Sequence, residues 1–173
     1  EPLAKERSYT IGSFSFNAGD GRCPSCSGNG FEHVEMQFLS DVYLRCSECN
    51  GKRYRREILE VRISGATPGR KSIADILAMT VTEALAFFAE DEAVITCLQP
   101  LLDVGLQYVQ LGQAVPTLSG GEAQRLKLAG HLAAVAQEQI AAAKKKRKSG
   151  IAAKGLLFLF DEPTTGLHFH DIS

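Results

Sequence analysis

Four cysteines stand in two close pairs whose spacing fits a metal site. Two residues separate the thiols within each pair and nineteen separate the pairs: Cys23, Cys26, Cys46 and Cys49. This arrangement is typical of structural zinc, because a two-residue spacer lets both thiolates of a pair face one ion. Four thiolates leave no open coordination position, so we expect one structural Zn²⁺ per chain. Two disulfides or four unligated thiols are the alternatives.

Glycines follow both pairs, at Gly28, Gly30 and Gly51. They permit the tight turns that point backbone N–H groups at the sulfurs. The fifth cysteine, Cys97, stands in an apolar, helix-like stretch, and we predict that it is a buried small hydrophobe.

Basic residues crowd around the second cysteine pair, with Tyr43 and Tyr54 interleaved. The basic residues are Arg45, Lys52, Arg53, Arg55 and Arg56. Cations bind phosphates and aromatic rings stack on bases, so this basic patch is a candidate DNA-binding surface. The alternative is a solvated face balanced by nearby glutamates.

A phosphate-binding helix start is predicted at Leu118–Arg125, which reads LSGGEAQR. Ser119 and Glu122 form a capping box. A cap does not require Gly120 and Gly121, which weaken a helix. Glycines do allow backbone N–H groups to approach an anion closely, and the helix dipole favours negative charge there.

Two carboxylates, Asp161 and Glu162, follow a continuous apolar run at 156–160. Such a run predicts a strand buried in a parallel sheet, and ligands bind at the carboxyl ends of such strands. Asp161 would hold Mg²⁺ through water, and Glu162 would activate the attacking water. The alternative is a strand that ends in two solvated carboxylates. The glycine-rich loop G-x4-G-K-[ST] that cradles phosphates is absent, since the string from Gly65 to Ser72 has the wrong spacing.

Hydrophobic periodicity and capping residues predict the surrounding elements. Strands are expected at 9–16 and 57–63, with a hairpin that joins 33–38 to 42–45. Ser72, Thr80 and Asp91 are expected to cap three helices that end near residues 79, 89 and 103. Pro100 predicts a kink or break in the third. A longer helix is expected at 117–143, overlapping a basic insertion at 137–154.

Composition excludes some classes of protein. The 173 residues are 45% hydrophobic with a net charge of −1, so the chain as a whole is not a basic nucleic-acid binder. No apolar run approaches about 20 residues, which predicts no membrane span. The sequence starts at Glu1 without methionine, so we expect part of a longer protein.

Taken together, several strings resemble the UvrA family, the damage-recognition ABC-type ATPases of bacterial nucleotide excision repair. They are GRCPSCSGNG, CSECNGKRY, LLDVGLQYVQLGQAVPTLSGGEAQRLKLA and FDEPTTGLHF. The match is to the second, C-terminal ATPase half.

The resemblance implies roles for particular residues. Ser119, Gly120 and Gly121 would face the γ-phosphate of ATP held by the opposing half. Asp161 and Glu162 would act on the nucleotide of their own half, and Thr165 and Gly166 would belong to the D-loop. The resemblance also links the zinc region to DNA binding.

We therefore expect an α+β or α/β fold, in which a zinc-binding β-hairpin module and a helical signature subdomain are inserted in a partial ABC-ATPase core. The expected domains are 1–21 as core strand and loop, 22–62 as zinc module, 63–115 as helical subdomain, and 116–173 as signature helix, basic insertion and Walker B strand.

The expected function is ATP-dependent recognition of DNA damage, with Zn²⁺, ATP and Mg²⁺ as cofactors. Double-stranded DNA, a second copy and a UvrB-like protein are the expected partners, in the cytoplasm and under the SOS response. We expect this chain alone to be inactive as an ATPase, because it lacks the phosphate loop. The alternatives are an ABC ATPase of drug resistance or transport, and a J-protein-type zinc chaperone module.

Overall fold

A computed structural model of the chain describes residues 1–36 and 42–146, with side chains described as far as Ala134. The chain divides into two compact units, Glu1–Ala78 and Met79–Ser173. The candidate metal ligands all belong to the first unit, and LSGGEAQR belongs to the second.

The first unit combines short helices with two small antiparallel sheets. Its elements are α1 (Pro2–Glu6), a 3-10 helix (Ile11–Phe14), β1 (Phe31–Val34), β2 (Val42–Arg45), α2 (Arg56–Leu59), β3 (Arg62–Ile63), β4 (Lys71–Ser72) and α3 (Ile73–Leu77). β1 pairs with β2 and β3 pairs with β4. The predicted strand at 42–45 and its pairing with an earlier strand are confirmed, but that partner is Phe31–Val34 and not 33–38, with Phe31 opposite Arg45 and Val34 opposite Val42. Residues 37–41, including the predicted turn, lie outside the described residues.

The strand predicted at 9–16 is wrong, because Ile11–Phe14 is a 3-10 helix. Ser13 Oγ accepts from the Thr10 N–H at 3.3 Å, and the Ser13 N–H donates to the Thr10 carbonyl at 3.0 Å. Local bonds of this kind offer the backbone an alternative to a strand ladder.

The strand predicted at 57–63 is also wrong over most of its length. Arg56–Leu59 is a helical turn, and only Arg62–Ile63 is extended. Ile58 and Val61 are the buried residues, at 3% and 6% exposure. Their spacing of three belongs to a helical turn, whereas the prediction used the alternation of Leu59, Val61 and Ile63.

The second unit is helical where it is described: α4 (Val81–Phe87), α5 (Glu92–Asp103), a 3-10 helix (Val115–Thr117) and α6 (Gly120–Lys146). Its buried apolar side chains include Val81, Phe87 and Leu106.

Three predicted caps are confirmed: Ser72 at α3, Thr80 at α4, and Asp91 at α5. In each, a side-chain oxygen accepts from an N–H of the first turn.

The structure contradicts a break at Pro100 and the predicted burial of Cys97, whereas a kink at Pro100 stays a prediction. The helix runs through Pro100 without a break, and that proline is buried. Cys97 is exposed. One polar side of α5 is formed at helical spacing by Glu92, Thr96, Gln99 and Asp103, and Cys97 lies among the apolar residues outside it. Apolar type alone did not show that no other described segment covers its side chain.

The segment predicted to be an insertion begins inside α6, which continues through Lys146. The rest of it, residues 147–154, lies outside the described residues, as does the predicted strand at 156–160. Among the described residues, no helix combines the length and apolar character needed to cross a membrane.

Candidate metal centre and nucleotide-facing helix

The structure gathers the four paired cysteines into one buried cluster. Their Sγ atoms all lie within 4.8 Å of one another. Sγ of Cys23 is 3.9 Å from Sγ of Cys46, and Sγ of Cys26 is 3.6 Å from Sγ of Cys49. A disulfide would bring two sulfurs to about 2.0 Å. Four thiolates around one Zn²⁺ at about 2.3 Å would be about 3.8 Å apart, so the donor set fits a tetrahedral zinc ion.

Backbone hydrogen bonds between the two cysteine pairs build this cluster. The Cys23 N–H donates to the Arg53 carbonyl at 2.8 Å, and the Cys46 N–H donates to the Gly30 carbonyl at 3.1 Å. The Gly30 N–H lies 3.2 Å from Cys26 Sγ. Each cysteine pair is thus hydrogen-bonded to the loop that follows the other cysteine pair. These backbone bonds by themselves bring the four sulfurs close together.

The pKa values of the cluster thiols indicate that a bound cation would stabilise their deprotonated forms. The N–H groups of Cys49 and Glu48 point at the Cys46 sulfur and lower the pKa of that thiol to about 7. Burial raises the pKa of Cys23, and it raises the pKa of Cys49 to about 12. A buried thiolate without a cation is costly, whereas a bound Zn²⁺ stabilises the deprotonated form.

Tyr54 supports the cluster instead of facing solvent. It is 2% exposed, and its hydroxyl donates to the Phe14 carbonyl at 2.7 Å. Burial raises the pKa of this hydroxyl, so it remains a donor. The expectation that Tyr54 offers a stacking surface is therefore wrong. Tyr43 is 45% exposed and stacks on His33, with ring centroids 5.0 Å apart.

Four members of the basic patch are exposed: Arg45, Lys52, Arg55 and Arg56. Arg53 differs, because it is half-buried and its guanidinium lies over the Phe16 ring at 5.0 Å from the centroid. Its φ of 69° and its carbonyl bond to Cys23 make it part of the support of the metal cluster. The patch thus contains both solvent-facing and structural side chains.

Carboxylates accompany part of this patch. Arg55 and Arg56, with Glu48 and Glu57, line a cavity of about 360 Å³ beside Cys23 and Cys49. Opposite charges at the cavity lower the positive potential there. Arg45 and Lys52 do not line this cavity.

The start of α6 forms the predicted capping box. The Ser119 N–H donates to Glu122 Oε2 at 2.8 Å, and the Glu122 N–H donates to Ser119 Oγ at 3.3 Å. Ser119 and Gly120 are exposed, and Gly121 is buried. The capping box serves the N–H groups of Ser119 and Glu122 and leaves those of Gly120 and Gly121 outside it.

Gly120 has no structural need to be glycine within its own unit. Its φ is not positive, and a Cβ placed on it would meet nothing within 4 Å among the described residues. Alanine would favour the helix by up to about 1 kcal/mol. The absence of a side chain is therefore a feature that packing in this unit does not explain.

Tyr108 is a residue at this helix start that no local pattern predicted. Its hydroxyl donates to Glu122 Oε1 at 2.8 Å, and Arg125 Nη2 lies 3.5 Å from the same hydroxyl oxygen. Tyr108 lies fourteen positions before Glu122 and outside α6, so no periodicity within a single helix or strand relates the two residues. The other predicted nucleotide-site residues, Asp161, Glu162, Thr165 and Gly166, lie outside the described residues.

Comparison with known proteins gives consistent relatives. The chain is 51% identical over 172 residues to UvrABC system protein A of Agrobacterium fabrum (strain C58 / ATCC 33970), covering 99% of this chain and 16% of that protein. It is 51% identical over 170 residues to UvrABC system protein A of Clostridium perfringens (strain 13 / Type A), covering 98% of this chain and 16% of that protein. No protein-family model matches the chain.

A solved structure agrees with these relatives. The crystal structure of UvrA2 from Deinococcus radiodurans matches with a TM-score of 0.70 and 52% sequence identity, covering 76% of this chain and 16% of that chain. The chain thus spans about a sixth of the length of these relatives.

Proposed function

Because the chain belongs to the family of UvrABC system protein A, we propose that it is part of a DNA-repair ATPase with composite nucleotide sites. In this proposal the start of α6 faces the γ-phosphate of ATP held by an opposing ATPase half. The metal cluster is a structural zinc site, and the basic patch beside it contacts double-stranded DNA. The whole protein would pair with a second copy and with a UvrB-like partner.

The open space at Gly120 is the observation that carries the nucleotide part of the proposal. Alanine there would meet no atom of the described residues and would favour the helix. A glycine whose own unit does not need it is explained if a ligand must approach its backbone closely. The N-terminus of a helix offers N–H groups and a positive dipole end, so an anion is the ligand that fits.

The hydrogen bonds of Ser119 support the same conclusion. Its Oγ accepts from the Glu122 N–H. A hydroxyl has one donor and two acceptor sites, so this bond leaves the hydroxyl proton able to donate to a phosphate oxygen. Ser119 could then cap the helix and bind phosphate at once.

The catalytic groups are proposed from the family resemblance. Asp161 would hold Mg²⁺ through water, Glu162 would activate the attacking water, and Thr165 and Gly166 would form the D-loop. Bound Mg²⁺ would neutralise charge on the phosphates.

Gly120→Ala tests the nucleotide proposal in the whole protein. We expect the rate of ATP hydrolysis to fall at least tenfold, because the new methyl group blocks close approach of the γ-phosphate to the helix start. The melting temperature of the variant is expected to equal or exceed that of the parent, since alanine favours the helix. Steady-state ATPase assays and thermal unfolding are the measurements.

Gly130→Ala is the matched control. Gly130 lies inside the same helix, and a Cβ there also meets nothing within 4 Å among the described residues. We expect it to raise stability and to leave ATP hydrolysis unchanged. Unchanged hydrolysis in the Gly120 variant would refute the nucleotide proposal.

The DNA part of the proposal depends on the exposed members of the basic patch. Arg45, Lys52 and Arg56 are exposed and can reach phosphates. Arg53 is unsuitable for a test, because its contact with Phe16 and its bond to Cys23 would be disturbed.

Replacing Arg45, Lys52 and Arg56 together by glutamine is expected to weaken binding to duplex DNA about tenfold. Each lost phosphate contact should lower the slope of log affinity against log salt by about 0.9. Fluorescence anisotropy across a salt series measures both quantities.

The control for this variant removes the same charge elsewhere on the first unit, by changing Lys5, Arg62 and Arg70 to glutamine. Arg62 and Arg70 are exposed and form ion pairs with Asp75 and Glu1, and such pairs add little stability. Equal loss of affinity in both triple variants would mean that net charge, not the basic patch, determines binding.

A further inference from the structure

Glu122 places a negative charge at the point where the proposed function requires a phosphate to bind. Its carboxylate lies in the first turn of α6. The Ser119 N–H and the Tyr108 hydroxyl lower the pKa of this carboxyl, so it is charged at neutral pH. A carboxylate that could move would accept from the same N–H groups as a γ-phosphate.

Both oxygens of this carboxylate are occupied by donors of the same chain. Oε2 accepts from the Ser119 N–H at 2.8 Å, and Oε1 accepts from the Tyr108 hydroxyl at 2.8 Å. Burial raises the pKa of Tyr108, and the bond to Glu122 adds to this, so its proton remains in place. Arg125 Nη2 lies close to the Tyr108 oxygen and adds positive potential.

Backbone hydrogen bonds hold the segment around Tyr108 in place, although the residue is 51% exposed. On either side of it, the Gln107 carbonyl accepts from the Thr82 N–H at 3.1 Å, and the Val109 carbonyl accepts from the Val81 N–H at 3.0 Å. Leu106, two residues earlier, is 1% exposed. The hydroxyl is therefore presented to Glu122 from a loop tied to the start of α4.

We propose that Tyr108 is a positioning residue that keeps the Glu122 carboxylate folded back on Ser119 as a cap. Without the hydroxyl, Oε1 loses its donor and the carboxylate competes with the γ-phosphate for the N–H groups of Gly120 and Gly121. Tyr108 thus keeps the Glu122 carboxylate away from the N–H groups that would bind the γ-phosphate. This inference rests on the proposed nucleotide role of α6.

Tyr108→Phe in the whole protein tests the inference, because it removes one oxygen and retains the ring. We expect kcat/KM for ATP to fall about fivefold with no change in melting temperature. Tyr9→Phe likewise removes one phenolic oxygen, from a half-buried ring of the first unit that packs against Phe14, and is expected to leave kcat/KM unchanged.

A second substitution separates positioning from a merely structural role. Glu122→Gln removes the charge and retains a side chain that can cap the helix. On that background, Tyr108→Phe is expected to change kcat/KM less than twofold, because a neutral amide competes poorly with phosphate. The same fivefold loss on both backgrounds would overturn the inference, as would no loss on the parent background.

Comparison of the Gly120→Ala and Tyr108→Phe variants separates the positioning role of Tyr108 from the proposed nucleotide role of α6. If Gly120→Ala abolishes hydrolysis while Tyr108→Phe has no effect, the nucleotide role stands and the positioning role of Tyr108 is refuted. If Gly120→Ala has no effect, both are refuted.

Discussion

Replacing Cys46 by serine is expected to remove the bound zinc and to unfold the region from about residue 22 to residue 62. Cys46 is fully buried at 0% exposure, and its Sγ faces that of Cys23. Apart from the cysteines, the buried apolar side chains described in this region are Tyr54, Ile58 and Val61. So small a core cannot offset the conformational entropy of about forty residues. Structural zinc contributes about 10–16 kcal/mol of apparent binding free energy in small zinc domains.

Metal analysis and hydrogen exchange measure this effect. We expect one zinc per chain in the parent, less than one in the Cys46→Ser variant, and loss of amide protection confined to the first unit. Strong chelators should produce the same loss in the parent. Cys97→Ser is the control, because Cys97 is exposed and outside the cluster. A parent chain that contains no metal and keeps its protection in chelator would rule out the zinc site.

Gly28→Ala is expected to destabilise the metal cluster by about 3 kcal/mol, the second largest effect. Gly28 has a φ of +89°, and a Cβ there would lie 2.4 Å from the Phe16 carbonyl oxygen. The left-handed conformation costs a non-glycine residue roughly 1–2 kcal/mol, and relief of a backbone clash adds to that. Since folding and zinc binding are coupled, zinc affinity should fall about a hundredfold.

Comparison with Gly69→Ala separates the steric cost of Gly28→Ala from its conformational cost. Gly69 has nearly the same φ, +92°, but a Cβ there meets nothing within 4 Å among the described residues. We expect only the conformational cost of about 1–2 kcal/mol, which lowers zinc affinity by about thirtyfold at most. Competition with a colorimetric chelator measures both variants. Equal affinities would show that the approach of Phe16 to Gly28 does not support the cluster.

The local signals in the sequence were reliable where a few neighbouring residues decide the outcome. The caps at Ser72, Thr80 and Asp91 are confirmed, because a side chain and an N–H two or three positions away form the whole interaction. The strand at 42–45 is confirmed because alternation is a local signal, whereas its partner is Phe31–Val34 and not 33–38, since register depends on how the two segments pair. The clustering of the four cysteines also follows from their spacing, since two short loops can bring four sulfurs to one point.

Periodicity failed where a short apolar run fitted two structures. Apolar and polar residues alternate over 57–63 as they would in a strand, yet the residues buried in the core are Ile58 and Val61. Residues 9–16 also alternate, but local hydrogen bonds at Ser13 and the bond from Tyr54 to Phe14 favour a 3-10 helix. Which of two local patterns prevails depends on contacts distant in sequence.

The sequence by itself determined the candidate chemistry: four thiolates at zinc spacing, a capped glycine-rich helix start, and a basic patch beside the second cysteine pair. Only the tertiary structure decided which side chains are available. It buried Tyr54, exposed Cys97, placed Arg53 over Phe16, and brought Tyr108 to Glu122 across fourteen residues. The physical reason is that residue type and local spacing specify what a group can bind, whereas exposure and long-range hydrogen bonds depend on how separate segments pack together.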